Sequence, residues 1–539
     1  MISLIVIMLF SGSVFSRELT DYSGQDIIVL DEPSVAYVNI TNVNAMPNGK
    51  TDNLHAWFEY RDDSGNYFKK RVILNAQGNS SLSYRKKNFK ADFCEDEWLG
   101  QTTTAIQIGN WVRQDGFHFK ANWLDTFRGG LSCATAYKFY EDIVADEPRI
   151  QERAELEKFS IGALCHPDCF PCVVSLNGEF YGIFAWQLKK SRKNMDMEKN
   201  NPKHVHFELL TYTNSLSDGV IDWDDIEVKN PNVLTEESRG YIEHFARYHS
   251  ELAKLSITCN TEQMRAEIGK RFDVASFIDF IIHDLITANI DGSGKNIQFF
   301  TYDGVKWFCT PYDLDETFGT TWTGAFQFPP QWTWLTCDYR MLNVLTKEIP
   351  FLWFYEYFWN DVKSRYATLR DNGVISVENI IAHLTGWNDR IGEDTFKKEH
   401  EKWPDSPSVG SLVLNDGWES VDSWQNYSRT SEYSAAKTYY SGNVCIQNYH
   451  IWKAEKTMTG VPPIKKCGYT DSYERVRNWL SNRIQLEDSF LEYDNSSVSA
   501  VESDNRTGES GNGKLIRKGR IVISKDGHYY SIKGERLDN

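Results

Sequence analysis

Beyond its N-terminus the sequence lacks long hydrophobic runs. No later stretch reaches the roughly 18 consecutive apolar residues of a membrane-spanning helix, so no transmembrane segment is expected. Positive charge is also short. Lys and Arg number 58 against 75 Asp and Glu, a formal charge of −17. No basic run long enough for a phosphate-backbone footprint precedes the C-terminal tail. A nucleic-acid partner is therefore excluded. Internal repeats are missing too, which argues against a solenoid or propeller.

What is present is length, aromatic content and cysteine. A chain of 539 residues can bury a large core and form two to four domains. Its 18 Trp, 27 Tyr and 30 Phe suit a core first and sugar- or nucleotide-lining surfaces second. The start, MISLIVIMLFSGSVFSRELT, is apolar from Ile2 to Phe10, and Val14 and Ser16 are small residues before a cleavage after Ser16. Residues 1–16 are read as a signal peptide, and the protein as exported: extracellular, cell-surface or periplasmic. The alternative is a buried N-terminal strand. Ten cysteines fit export with some disulfides. The dense stretch Cys165-His166-Pro-Asp-Cys169-Phe-Pro-Cys172 offers three thiols and an imidazole to zinc, but not at finger or ribbon spacing. A local disulfide plus a long-range one is the expectation there.

Residues 17–64 alternate and carry turn residues, which reads as a β-rich segment. Hairpins are expected at HAWFEYRDDSGNYFKKRVIL, around Asp62–Gly65, and at CVVSLNGEFYGIFAWQL, around Asn177-Gly178. A helix is expected in LDTFRGGLSCATAYKFYEDIVAD. Helical periodicity then dominates from about 235 to 290, with Asp273 as an N-cap, and returns from 350 to 400 and in SYERVRNWLSNRIQLEDSFLEYD. Residues 491–513 form a polar linker and 514–539 a small basic β-hairpin tail. The class is α+β: a β-rich N-terminal lobe followed by a mostly helical C-terminal lobe.

The segment Asn289-Ile-Asp-Gly-Ser-Gly-Lys-Asn296 admits three chemistries. A phosphate loop needs Gly at 289 and Ser or Thr at 296, and a helix after it. Both positions are Asn and the continuation is strand-like. A calcium loop needs an oxygen ligand where Lys295 stands and glycine where Asn296 stands. The third chemistry fits. Asp291 and Asn296 have the spacing of a kinase catalytic loop, and a hairpin ending in CTPYDLDETFG follows, with Asp313, Asp315 and Glu316 in the place of a metal-binding aspartate. A solvated acidic turn is the plain alternative. Upstream, Asn75-Ala-Gln-Gly78-Asn79-Ser80-Ser81 can cradle phosphate through backbone N–H groups. Lys86, Lys87 and Lys90 follow it and cannot be ranked by charge alone. A glycosidase would need two acids across a cleft, whereas Asp313 and Asp315 share one turn.

Four segments in order, LNAQGNSSLSYRKKNF, FKANWLDTFRGGLS, VSLNGEFYGIFAWQL and NIDGSGKNIQFFTYDGVKWFCTPYDLDETFG, resemble the spore-coat protein H (CotH) kinase family over roughly residues 65–490. The resemblance implies an atypical protein-kinase fold. It also implies phosphorylation of Ser or Thr on exported or surface proteins, with ATP and Mg²⁺ or Mn²⁺. By position it makes Asp291 the catalytic aspartate and Asn296 and Asp313 metal ligands, with Asp315 nearby. It places Gly78, Asn79, Ser80 and Ser81 over the nucleotide phosphates, with Lys87 or Lys86 in contact. Asp125 and Arg128 match a polar pair before the first helix, an orienting ion pair. The sequence departs from the family at Gln187, where Glu is common, at Tyr312, where Trp is commoner, and after Arg128, where GGLS stands in place of an Arg-Asn pairing. A kinase-like scaffold acting as a surface binding protein therefore stays as the alternative. The aromatic pairs Phe326 and Phe328, and Trp332 and Trp334, would stack on glycans in that case. The tail resembles a short C-terminal attachment or sorting hairpin of exported bacterial proteins.

Overall fold

The structure is a computed structural model of the chain. It describes residues 19–94, 104–124, 131–146, 163–210, 219–289, 292, 295–320, 351–406, 412–420, 430–447, 450–466 and 469–494, and the backbone of strands within 513–537. The signal peptide, Asp125, Arg128, Asp291, the aromatic pairs at 326–334 and most of the polar linker lie outside the described residues.

The N-terminal half is built on a single sheet. Its strands are β1 (Thr20–Asp21), β3 (Ala36–Thr41), β4 (Leu54–Asp62), β5 (Asn66–Gln77), β6 (Asn88–Phe93), β8 (Gly116–Lys120), β9 (Cys169–Leu176) and β10 (Glu179–Gln187). A separate parallel pair is formed by β2 (Ile27–Leu30) and β7 (Ala105–Ile108). The order is β1-β5-β4-β3-β9-β10-β8-β6, and β6 returns to pair with β5, so the sheet closes on itself. One long strand makes closure possible. The first part of β5 pairs with β4 and its C-terminal part also pairs with β6. Closure removes the edges that an open sheet would expose. The interior is aromatic: Phe58, Tyr60, Phe68, Phe93, Phe117, Phe119 and Trp186 are all buried in one cluster.

Both expected hairpins form. β4 and β5 meet at a turn in which Gly65 N–H reaches Asp62 O at 3.2 Å. β9 and β10 meet at Asn177-Gly178, both with positive φ (50° and 87°), the backbone that Asn-Gly supplies at least strain. Because β3 and β4 belong to the same closed sheet as β9 and β10, residues 36–62 and the chain after them share one structural unit.

The C-terminal half is mostly helical, after α1 (Leu131–Ala145), which lies within the β-rich half of the sequence. A second sheet, in the order β12-β11-β13-β14, comprises β11 (Val205–Leu209), β12 (Ile226–Asn230), β13 (Ile297–Thr301) and β14 (Trp307–Pro311). The helices are α2 (Glu236–Leu255), α3 (Thr261–Arg271), α4 (Val274–Thr287), α5 (Phe351–Tyr357), α6 (Trp359–Asp371), α7 (Val377–Ile391), α8 (Glu393–Lys402) and α9 (Tyr469–Phe490). Asp273 caps α4, accepting from Ser276 N–H at 2.8 Å. Nearly all of α4 is buried. It is therefore a central helix without a polar face, and it delivers its C-terminus to the loop at 289–296. The mixture of a large sheet with many helices is α+β.

Two expectations change. The tail is an antiparallel four-stranded sheet (Gly513–Arg517, Arg520–Lys525, His528–Ser531, Arg536–Leu537), not a hairpin. No disulfide joins the described cysteines, so the local bridge expected at 165–172 is not there. Cys169 and Cys172 stand three apart on β9, and such residues project to opposite faces of a strand. Cys169 accordingly joins the helix-side core and Cys172 the barrel interior. Cys165 contacts the Tyr302 hydroxyl at 3.4 Å.

Candidate active site

The alternation of β8 sets up the site. In Gly116-Phe117-His118-Phe119-Lys120 the two phenylalanines enter the barrel interior. His118 and Lys120 must then project from the opposite face, where both are buried. On the neighbouring β10, Gln187 lies opposite His118 and Ala185 opposite Lys120, so these side chains share that face.

The exit of the β13–β14 hairpin meets this face. Lys120 Nζ lies 3.1 Å from Asp313 Oδ1. Lys190 and Lys120 lie over the Tyr312 ring, 4.7 and 5.5 Å from its centroid. His118 Nδ1 is 3.3 Å from the Tyr312 hydroxyl. Lys190 also pairs with buried Glu208 at 2.6 Å, and Lys229 reaches the same carboxylate at 3.2 Å. Asp313 itself has φ 57°, in the left-handed region. The turn is tied down beyond it, where Phe318 N–H donates to Thr287 O, the last residue of α4, at 2.7 Å.

The electrostatics follow from burial against charge. Burial disfavours the Lys120 ammonium, but Asp313, with Tyr312 and Asp315, outweighs it and holds the proton affinity above the ordinary value. Burial likewise works against the Asp313 carboxylate, while Lys120, Lys190 and Lys295 lower its pKa below the usual range. Asp313 keeps 38% of its side chain exposed, so it is charged and accessible. His118 is pushed well down by burial and by the surrounding Lys189, Lys120, Lys190 and Lys90; its imidazole is neutral at physiological pH. In a chain of net charge −17, this gathering of lysines is a local reversal of sign.

Residues 289–296 follow α4, whose last residue, Thr287, anchors the turn beyond Asp313. Asn289 and Asp284 are fully buried, with Asn289 Nδ2 3.3 Å from Asp284 Oδ1. Burial pushes the Asp284 carboxyl up to about 6, against hydrogen bonds from His283 and Asn289. Gly292 packs directly on this pair. A Cβ there would lie 2.2 Å from Asn289 Nδ2 and 2.7 Å from Asp284 Oδ2. The loop ends at Asn296, whose φ is 59° and whose N–H donates to Leu209 O at 2.9 Å. Asn296 is adjacent to Lys295, whose charge reaches Asp313. Asp313, Asp315 and Asn296 offer the hard oxygen donors that Mg²⁺ or Mn²⁺ prefers. Among the described residues no three carboxylate, imidazole or thiolate groups converge. A cation held here would complete its shell with amide, water or phosphate oxygens, the usual habit of Mg²⁺.

The upstream segment divides its roles. Gly78 has φ 115°, and a Cβ there would fall 1.8 Å from Ser81 Oγ, so the turn into the short 3₁₀ segment Ser80–Ser83 requires glycine. Asn79 Oδ1 accepts from Lys50 at 2.6 Å. Ser81 Oγ lies 3.5 Å from Asn88 Nδ2, and Asn88 Oδ1 accepts Ala121 N–H at 2.7 Å. The turn is thus linked to the residue after Lys120. Lys86 is buried, 2% exposed. Its ammonium donates to Glu399 Oε1 at 2.6 Å, to Ala121 O at 3.2 Å and to Ile183 O, and lies over the Phe184 ring. All three of its N–H groups are occupied. Lys87 donates to Tyr84 O at 2.8 Å, and Lys90 pairs with Asp92 at 2.8 Å. Among the described residues Gln187 reaches no lysine. Its Nε2 is 3.4 Å from the Tyr137 hydroxyl.

Sequence reasoning missed Lys120, His118, Lys190 and Tyr137. A usable signal existed for the first two. A strand reading Phe-His-Phe-Lys between two turns places two ionisable groups on one face of a segment otherwise fit for a core, and such groups are rarely buried without a partner.

No curated protein matches this sequence. The model of the CotH kinase protein family matches residues 74–441. That span takes in the end of β5, the Lys120 strand, residues 289–296 and the Asp313 turn, and it covers most of the chain. The chain belongs to the CotH kinase family.

Proposed function

We propose that the protein is an exported atypical protein kinase that transfers the γ-phosphate of ATP to Ser or Thr hydroxyls of exported or surface proteins. The observation that carries this reading is the Lys120–Asp313 pair at the hairpin exit, with Lys190 beside it. A lysine next to an accessible, charged aspartate is the minimal equipment for holding a metal–triphosphate. In this reading Asn296 and Asp313 hold Mg²⁺ or Mn²⁺, with Asp315 alongside. The bound cation neutralises phosphate charge. Lys120, whose strand runs beside the turn, takes the phosphate-contacting role ahead of Lys87 or Lys86, because the Lys86 donors are spent on Glu399 and two carbonyls. The Gly78–Ser81 turn covers the phosphates. Asp291 accepts the proton of the attacking hydroxyl. That oxygen bonds to the γ-phosphorus as the bond to the β,γ-bridging oxygen breaks, and ADP leaves.

One observation favours a second reading, a weak or inactive kinase-like scaffold that binds surface proteins or glycans. The residue at 187 is Gln, so no carboxylate from β10 faces Lys120. Phosphate transfer from labelled ATP by the purified mature chain, with Mg²⁺ or Mn²⁺, decides between them. Metal-dependent transfer lost in Asp291→Ala and Asp313→Ala supports the kinase. Absence of both ATP binding and transfer in the wild type supports the scaffold.

A further inference from the structure

We infer that Tyr137 is a positioning residue for the Asp313 turn, and that Gln187 serves the reaction by orienting its hydroxyl. The inference rests on the metal–nucleotide reading above. Tyr137 is fully buried on α1. Its hydroxyl accepts the backbone N–H of Asp313 at 3.1 Å and lies 3.4 Å from Gln187 Nε2. Asp313 is held in the left-handed region, φ 57°, which a non-glycine residue keeps only when its surroundings fix it. Two bonds fix it from opposite ends: Lys120 grips the carboxylate and Tyr137 the backbone.

The chemistry of the third partner is selective. A phenol is protonated at neutral pH and is a donor as well as an acceptor, so the buried Tyr137 hydroxyl needs an acceptor for its own hydrogen. Gln187 Oε1 is buried without a partner. Turning the amide over places that oxygen where Nε2 stands. The hydroxyl then donates to Gln187 and offers its lone pairs to Asp313 N–H. A neutral amide does this without placing a second carboxylate near Lys120. Gln187 thus meets Tyr137 as a neutral partner.

Tyr137→Phe removes only the hydroxyl. Mn²⁺ affinity in the presence of a non-hydrolysable ATP analogue, read by electron paramagnetic resonance, should weaken roughly three- to tenfold, the worth of one hydrogen bond. KM for Mn²⁺·ATP should rise correspondingly, with affinity for the metal-free analogue and the melting temperature close to wild type. Unchanged Mn²⁺ affinity in the variant, with the wild type binding normally, overturns this inference and leaves the kinase reading standing. A wild type that does not bind Mn²⁺ with the analogue overturns both. Amide exchange of the wild type gives an independent check should the variant fold poorly. The Asp313 N–H should be protected, and exchange at the free-peptide rate would show that the Tyr137 bond does not hold the turn.

Discussion

Replacing Lys86 by alanine separates a brace from a ligand. The Lys86 ammonium and the Glu399 carboxylate are both nearly excluded from solvent, with 2% and 4% of their side chains exposed. Glu399 Oε2 also accepts Ile183 N–H at 2.8 Å. Removing the lysine leaves that carboxylate buried without its cation, with the Ile183 N–H as a remaining donor, and two carbonyls lose a donor as well. Breaking one side of a buried pair destabilises by about 3–5 kcal/mol. The ion pair joins α8 to the segment before β6, and both partners also bond Ile183 on β10, so the loss should loosen the docking of α8, whose neighbour Trp403 donates to Tyr181 O at 2.7 Å. Replacing both partners, Lys86→Met with Glu399→Leu, should recover most of that loss, because the desolvation penalty of both ions disappears. Urea denaturation of wild type, Lys86→Ala, Glu399→Leu and the Met/Leu double variant, at fixed pH and salt, reads the loss and the recovery. The double variant should also retain ATP affinity. A Lys86→Ala protein that unfolds like wild type but no longer binds ATP would refute the reasoning, and would return Lys86 to the nucleotide.

Two further predictions concern the ground beneath the 289–296 loop. Asp284 has a folded pKa of about 6 against an ordinary 3.8. Between about pH 4 and pH 6 the folded state therefore holds a proton that the unfolded chain has released, and this group's contribution to stability falls as pH rises through that window. Two pKa units at about 1.4 kcal/mol each set the scale. The advantage of Asp284→Asn over wild type should grow by up to about 3 kcal/mol from pH 4 to pH 7.5 in urea denaturation, and a pH-independent difference would contradict it. Gly292→Ala should displace the Asn289–Asp284 pair, given the 2.2 and 2.7 Å approaches of its Cβ. Phosphate transfer should fall at least tenfold, of the order seen when a group is misplaced by an ångström, while ATP affinity changes little.

Local features were legible because their causes are local. The Asn177-Gly178 turn, the Asp62–Gly65 turn, the Asp273 cap and the strand-loop-strand after Asn296 each follow from residues within a few positions. What escaped depends on partners far along the chain. Lys86 could be separated from Lys87 and Lys90 only by Glu399, 313 residues away. Lys120 gains its meaning from Asp313, 193 residues on. The closure of the sheet depends on β5 pairing on both sides, which alternation does not encode. Alternation in the tail points to a hairpin but does not say how many short strands pair, and four do. The thiols at 165–172 looked paired because they are close in sequence, but strand geometry sends neighbours at odd spacing to opposite cores.

The most direct test is an equilibrium titration of ATP with Mn²⁺ against the wild type and Lys120→Met. The account predicts metal-dependent binding by the wild type, and roughly a tenfold or greater loss in the variant, from removal of a charge-assisted contact to phosphate. Equal affinity in the two proteins would contradict the placement of the nucleotide at the Lys120–Asp313 pair.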